Sequence, residues 1–135
     1  MRTTSKLLAA VITALALLAA GAAAAPSLSP TGPAQVTLQQ DRLLRVGEFK
    51  KLYGLFTTRF KQQCGYAKFQ QQAAKSRSQL KGITLKVTGE QITGSRGIVK
   101  YKYLRGTKVL ATITNDLYVK VGGRWLDEVD PVTSC

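Results

Sequence analysis

Hydrophobic positions along this chain change their spacing at Gly82, and the change divides expected helices from expected strands. From Val46 onward, Val46, Phe49, Tyr53, Phe56 and Phe60 recur at steps of three and four, which is one buried stripe on a helix. Thr37-Leu-Gln-Gln40 has capping-box spacing, so the helix is expected to start there, and Gly65 is placed to end it after Cys64. Gly47 and Gly54 each cost such a helix about 1 kcal/mol relative to Ala, and their common side suggests close approach by another element. Tyr66, Phe69, Ala73 and Leu80 continue at helical spacing and predict a second helix, which Lys81-Gly82 stops. Beyond Gly82 the period becomes two. Ile83, Leu85 and Val87 alternate with Thr84 and Lys86, and Val99, Tyr101 and Tyr103 alternate with Lys100 and Lys102. Gly106-Thr107 and Gly122-Gly123 can reverse the chain, so Arg96–Arg105, Lys108–Val121 and Arg124–Val129 read as an antiparallel meander. Polar Asn115-Asp116 in the long third strand predicts a bulge or bend.

The first residues follow a different logic. Arg2 and Lys6 precede an uncharged Leu/Ala run from Leu7 to Ala20, followed by Gly21 and the alanines Ala22–Ala25. This is the layout of a secretory signal peptide over residues 1–25, cut near Ala22–Ala25, and it predicts a secreted or periplasmic protein with no transmembrane segment in the mature chain. Residues 26–37 hold Pro26, Pro30 and Pro33 among Ser, Thr and Gly and read as a disordered tail, leaving 38–135 as one domain. Cys64 and Cys135 are an even pair in an oxidising compartment and are expected to form a disulfide.

Two helices followed by four strands predict an α+β domain, with the helices packed on one face of a curved antiparallel sheet. The helix ending in Phe60-Lys-Gln-Gln-Cys64, the meander and the closing Gly122-Gly-Arg-Trp125-Leu-Asp-Glu-Val129 resemble the small exported members of the NTF2-like, or SnoaL-like, superfamily. The resemblance spans roughly residues 38–130. It implies a cone between helices and sheet; a cystatin-like helix on a sheet is the alternative. The superfamily contains dehydratases, isomerases, transport factors and exported proteins of other roles, so it implies a fold and leaves function open.

The chain has no His, which removes every Ser-His-Asp or Cys-His scheme and every imidazole metal site. No cofactor is implied. A cone enzyme would draw on acids and tyrosines, and the pocket candidates are Tyr53, Tyr101, Tyr103, Asp116, Tyr118 and Trp125. The reading favoured here gives them structural work: Asp116 in a bulge, tyrosines filling core with hydroxyls at the rim, and Trp125 as a core plug. Asp127, Glu128 and Asp130 read as a solvated acidic end.

Charge is the least ordinary feature. Twenty Lys and Arg face seven Asp and Glu, a formal net charge of +13, and without residues 1–25 the balance is still 18 to 7. Nine basic residues lie between Glu48 and Glu90, and five between Glu90 and Asp116, with no acid in either stretch. The expected function is therefore a non-enzymatic binding role, in which basic residues engage an anionic polymer: an acidic glycan, a wall polymer or extracellular nucleic acid. The candidates are Lys61, Lys68, Lys75, Lys81, Lys100, Lys102, Arg105 and Lys108. The alternative is a pocket protein that binds a small apolar ligand or runs simple acid-base chemistry in the cone. An open cavity where Asp116 and a tyrosine converge would favour that alternative. A homodimer is compatible with either.

Overall fold

A computed structural model describes residues 27–129 and residue 135. The expected signal peptide, residues 1–25, lies outside them. Four helical segments, α1 (Pro33–Val46), α2 (Phe49–Tyr53), α3 (Thr58–Gln63) and α4 (Tyr66–Gln79), precede four strands, β1 (Thr84–Thr93), β2 (Arg96–Arg105), β3 (Lys108–Val121) and β4 (Arg124–Asp127). The strands form one antiparallel sheet in sequence order, and the helices pack on one face of it. The α+β arrangement and the strand limits follow the alternation in the sequence closely.

The helical half departs from expectation in two places. First, α1 begins at Pro33, so residues 33–37 belong to the folded domain, not to a tail, and Thr37 lies inside the helix. The cap comes from the sheet: Glu90 of β1 accepts from Ser29 N through Oε1 and from Ala34 N through Oε2, both at 2.8 Å. A carboxylate at the positive end of a helix replaces the local capping box, and sequence spacing cannot display such a partner.

Second, the expected helix from Thr37 to Cys64 is three segments. Gly47 adopts φ 80°, ψ 20°, the left-handed conformation that terminates α1, and Val46 is left 60% exposed outside any stripe. Between α2 and α3 the chain runs alongside β4 instead of coiling: Asp127 N donates to Leu55 O at 2.8 Å and Thr57 N donates to Asp127 O at 3.0 Å. Thr57 then caps α3 by accepting from Phe60 N at 3.3 Å. Pairing with a strand edge outweighs continued helix because it satisfies backbone groups at a place where β4 has no other neighbour.

Two apolar clusters hold the layers together. Leu52, Phe56, Phe60, Cys64 and Phe69 form the helical one, with Phe56 and Phe60 stacked at 4.6 Å between ring centroids. Ala34, Val99, Tyr118 and Trp125 form the other, between α1 and the sheet. There Gly97 lets α1 approach closely, since a Cβ at that position would lie 2.7 Å from Pro33 Cγ. Cys64 and Cys135 are joined by a disulfide across a Cα–Cα distance of 5.8 Å.

Candidate functional site

Between the two clusters the layers do not meet, and a cavity of about 460 Å³ remains. Its apolar walls include Leu44, Leu52, Phe56, Phe69 and Leu85. Its polar side is built from Thr37, Gln40 and Asp41 of α1, Tyr101 and Tyr103 of β2, Asp116 of β3 and Asp127 of β4.

A bulge aims Asp116 into this space. Val99 pairs with Asp116 and Tyr101 with Ile113, so Lys100 alone opposes both Thr114 and Asn115. The extra residue switches the alternation of β3: Ile113 faces inward before it, and Asp116 and Tyr118 face inward after it. The same bulge turns Leu117 and Val119 to the outer face. Asp127 pairs with Tyr118 across β3 and β4 and points the same way. Its backbone is fixed on both sides by Leu55 and Thr57.

The polar groups are chained together. Tyr118 Oη lies 2.7 Å from Thr37 Oγ1, 2.9 Å from Gln40 Oε1 and 3.1 Å from Asp116 Oδ2. Gln40 Nε2 donates to Asp127 Oδ2 at 2.9 Å. The Tyr118 hydroxyl is the donor toward both Gln40 Oε1 and Asp116 Oδ2, so its single hydrogen is shared between them. Asp127 Oδ1 and Asp41 Oδ1 are buried and have no hydrogen-bond partner among the described residues.

Burial governs the protonation of these groups. It pushes the Asp116 carboxyl above the usual carboxylate range, with the Tyr118 and Tyr101 hydroxyls pulling back part of the way. Asp127 is pushed well above its ordinary value by burial and then by the nearby Asp116 charge, against the Gln40 hydrogen bond. The Tyr101 and Tyr118 phenols are raised far out of the physiological range, chiefly by burial, and stay protonated. Tyr103 is raised by burial and by the Asp41 charge. Two carboxyls in one buried space disfavour two full charges, so each holds its proton to a higher pH than a free carboxyl does.

Of the pocket candidates from sequence, Tyr101, Tyr103 and Asp116 line the cavity, and Tyr118 is fully buried behind it with its hydroxyl donating to Asp116. Tyr53 does not line it. Its hydroxyl is directed at backbone carbonyls of the helical layer, 2.7 Å from Cys64 O and 3.1 Å from Lys61 O. Trp125 does not line it either; it is packed with Ala34, Val99 and Tyr118, and Lys120 Nζ lies 5.8 Å over its ring. The solvated acidic end expected at Asp127 is a correction, because Asp127 is 5% exposed. Its alternation with Trp125 was the available signal. Thr37 and Gln40, read as a cap, are one turn apart inside α1 and face the carboxyls together. No group of three metal-ligating side chains converges among the described residues.

The basic candidates divide between two sides of the domain. Lys61, Lys68, Lys75 and Lys81 belong to the helical layer and the loop after it, whereas Lys100 and Lys102 alternate with inward Tyr101 and Tyr103 and so face away from the helices. Arg105 and Lys108 flank the β2–β3 turn.

No protein-family model matches this chain, and no curated protein does. Among solved structures it is similar to a protein from Campylobacter jejuni described as an NTF2-like transpeptidase, with a TM-score of 0.58 and 14% identity over 73% of this chain and 99% of that one. It is also similar to a SEC-C motif-containing protein from Rhodopseudomonas palustris, with a TM-score of 0.54 and 16% identity over 76% of this chain and 79% of that one. At such identities the likeness is one of fold, and the fold is NTF2-like.

Proposed function

We propose that this NTF2-like domain is a pocket protein that takes a small, largely apolar ligand into the cone and holds a hydrogen-bond acceptor of that ligand against the Asp116–Asp127 pair. The observation that carries this reading is Asp127, buried and with Oδ1 unpartnered among the described residues, in the wall of a cavity of about 460 Å³. A carboxyl with a purely structural role is normally satisfied on both oxygens, and the volume falls within the range of small-molecule sites. A proton held on the pair would be donated to a carbonyl or similar oxygen of the ligand, which is also the first requirement of acid-base chemistry. The activity named for the Campylobacter protein is not carried over, since at 14% identity the likeness is one of fold.

The test is binding of the neutral fluorophore N-phenyl-1-naphthylamine to the full chain and to Ser76→Trp, which places an indole at a lining position. The expected result is saturable one-to-one binding that Ser76→Trp abolishes while the fold is retained. Absence of saturable binding to the unaltered protein overturns the reading.

The anionic-polymer reading keeps one specific observation in its favour. Lys86 and Lys102 are direct cross-strand partners on the outer sheet face, with Lys100 beside them. Like charges placed opposite one another are unfavourable by themselves, and a bound polyanion relieves them. Steep loss of heparin retention with added salt, weakened by Lys86→Gln with Lys102→Gln, supports this second role.

The extracytoplasmic location read from residues 1–25 is supported by the disulfide. Among the described residues no helix is long and apolar enough to cross a membrane.

A further inference from the structure

We propose that the outer face of the sheet, the side turned away from the helices, docks this protein on an anionic lipid bilayer. The face shares Lys86 and Lys102 with the anionic-polymer role and is independent of the cone, which lies on the other side of the sheet.

Register decides what this face carries. Tyr101 and Tyr103 line the cone and Val99 is buried with Ala34 of α1, so the alternate residues of β2, namely Arg96, Ile98, Lys100, Lys102 and Leu104, point outward. Their cross-strand partners share that face. Lys86 of β1 stands opposite Lys102, Leu117 of β3 opposite Ile98, and Val119 opposite Arg96, with Leu126 of β4 beyond Val119. Toward the β2–β3 turn Val109 pairs with Leu104, and Leu110 beside it is the extra residue of a second bulge. At the far end of β3, Val121 pairs with Arg124. Val109, Leu110 and Val121 are 45%, 41% and 57% exposed, so large apolar side chains meet water at both ends of the face.

Charge is sorted across the sheet. The acids of the strands all turn to the helical side: Glu90 caps α1, and Asp116 and Asp127 line the cone. The outer face receives Lys86, Arg96, Lys100, Lys102 and Arg124 and no acid. A soluble polyanion would answer these cations and leave Leu110, Val119 and Val121 in water. A second copy seated face to face would cover the apolar residues but oppose two sets of cations with no acid to pair them. An anionic bilayer takes both. Its headgroup phosphates meet the Lys and Arg, whose long stems lie along apolar surface, while the aliphatic side chains enter the boundary with the acyl chains. The secretory leader expected at residues 1–25 carries the domain past such a membrane.

The experiment is co-sedimentation of residues 26–135, which include every described residue, with vesicles of phosphatidylglycerol and phosphatidylcholine and with vesicles of phosphatidylcholine alone. It is repeated on Lys86→Gln with Lys102→Gln, and on Val109→Thr with Leu110→Thr and Val121→Thr, exposed positions at which Thr keeps strand propensity. Lys68→Gln with Lys75→Gln, exposed on α4, is the control on the helical side. Circular dichroism checks that each variant keeps the fold. The expected result is saturable binding to the anionic vesicles only, weakened at least about tenfold by the lysine variant and by the threonine variant and left near its original strength by the control. Heparin retention should fall with the lysine variant and not with the threonine variant. Equal binding to both vesicle types, or a threonine variant that binds as well as the unaltered protein, overturns the proposal. Heparin retention without vesicle binding overturns it too and leaves the polymer role standing. A dimer that the threonine variant breaks, again without vesicle binding, assigns the face to a second copy instead.

Discussion

Gln40 donates its side-chain amide to Asp127 Oδ2 at 2.9 Å, across a sequence separation of 87 residues. This contact fixes which way the amide faces, because Gln40 Oε1 then meets the Tyr118 hydroxyl at 2.9 Å. One helical side chain therefore links the third and fourth strands and keeps the two carboxyls in a single network.

Asp127→Asn should stabilise the protein in a pH-dependent way. The folded-state carboxyl is raised by burial, so the native state holds more protons than the unfolded state above the ordinary carboxylate range. Stability then falls as pH rises from the unfolded pKa through the folded one. The variant lacks that loss. Its advantage is expected to reach roughly 1–2 kcal/mol near neutrality and to close as pH approaches about 4. Urea melts across this pH series check it, and an advantage independent of pH would refute the titration argument.

Tyr118→Phe should cost roughly 1–3 kcal/mol, because it strips a shared partner from Gln40, Thr37 and Asp116. The same change should move Asp116 further upward, since the Tyr118 hydrogen bond now lowers it. Carbon-13 carboxyl titration reads this second effect, which a simple packing loss would not produce.

Opening the disulfide should lower stability by roughly 4 kcal/mol in the chain-entropy model, because it closes a loop with a sequence separation of 71 residues. Melting temperatures with and without reductant, and of Cys64→Ser with Cys135→Ser, measure it. Equal melting under both conditions would contradict the linkage.

Glu90→Ala should loosen the start of α1. Its two oxygens accept from Ser29 N and Ala34 N, and loss of a comparable cap costs roughly 0.5–2 kcal/mol. Hydrogen exchange should speed up first at residues 33–37 and leave the meander protected.

The sheet was legible because period-two alternation and paired turn residues act locally: Arg96–Arg105 and Lys108–Val121 have the limits the pattern assigned. The bulge at Asn115-Asp116 was legible for the same reason. The break in the first helix was not. Phe56 has the right spacing for a helical stripe, and only its bridge to Asp127 shows why that stretch runs extended. Half of the site was hidden likewise. Asp116 and Tyr101 declared themselves as polar residues in strands, but Gln40 and Thr37 had a sufficient local explanation as a cap. Glu90, the actual cap, is 56 residues away from the amide of Ala34 that it receives.

The extended run at Leu55–Thr57 also bears on the order in which the molecule is assembled. Each strand of the meander pairs with its immediate sequence neighbour, so the hairpins close short loops. The Asp127 backbone is captured only when the distant 55–57 segment arrives, and Gln40 reaches its carboxyl only after α1 has docked. The carboxyl pair therefore depends on contacts more distant in sequence than those of the sheet, and local opening is expected to break it first. A partly folded chain that keeps its hairpins has a sheet but no site, which makes ligand occupancy a gauge of complete folding.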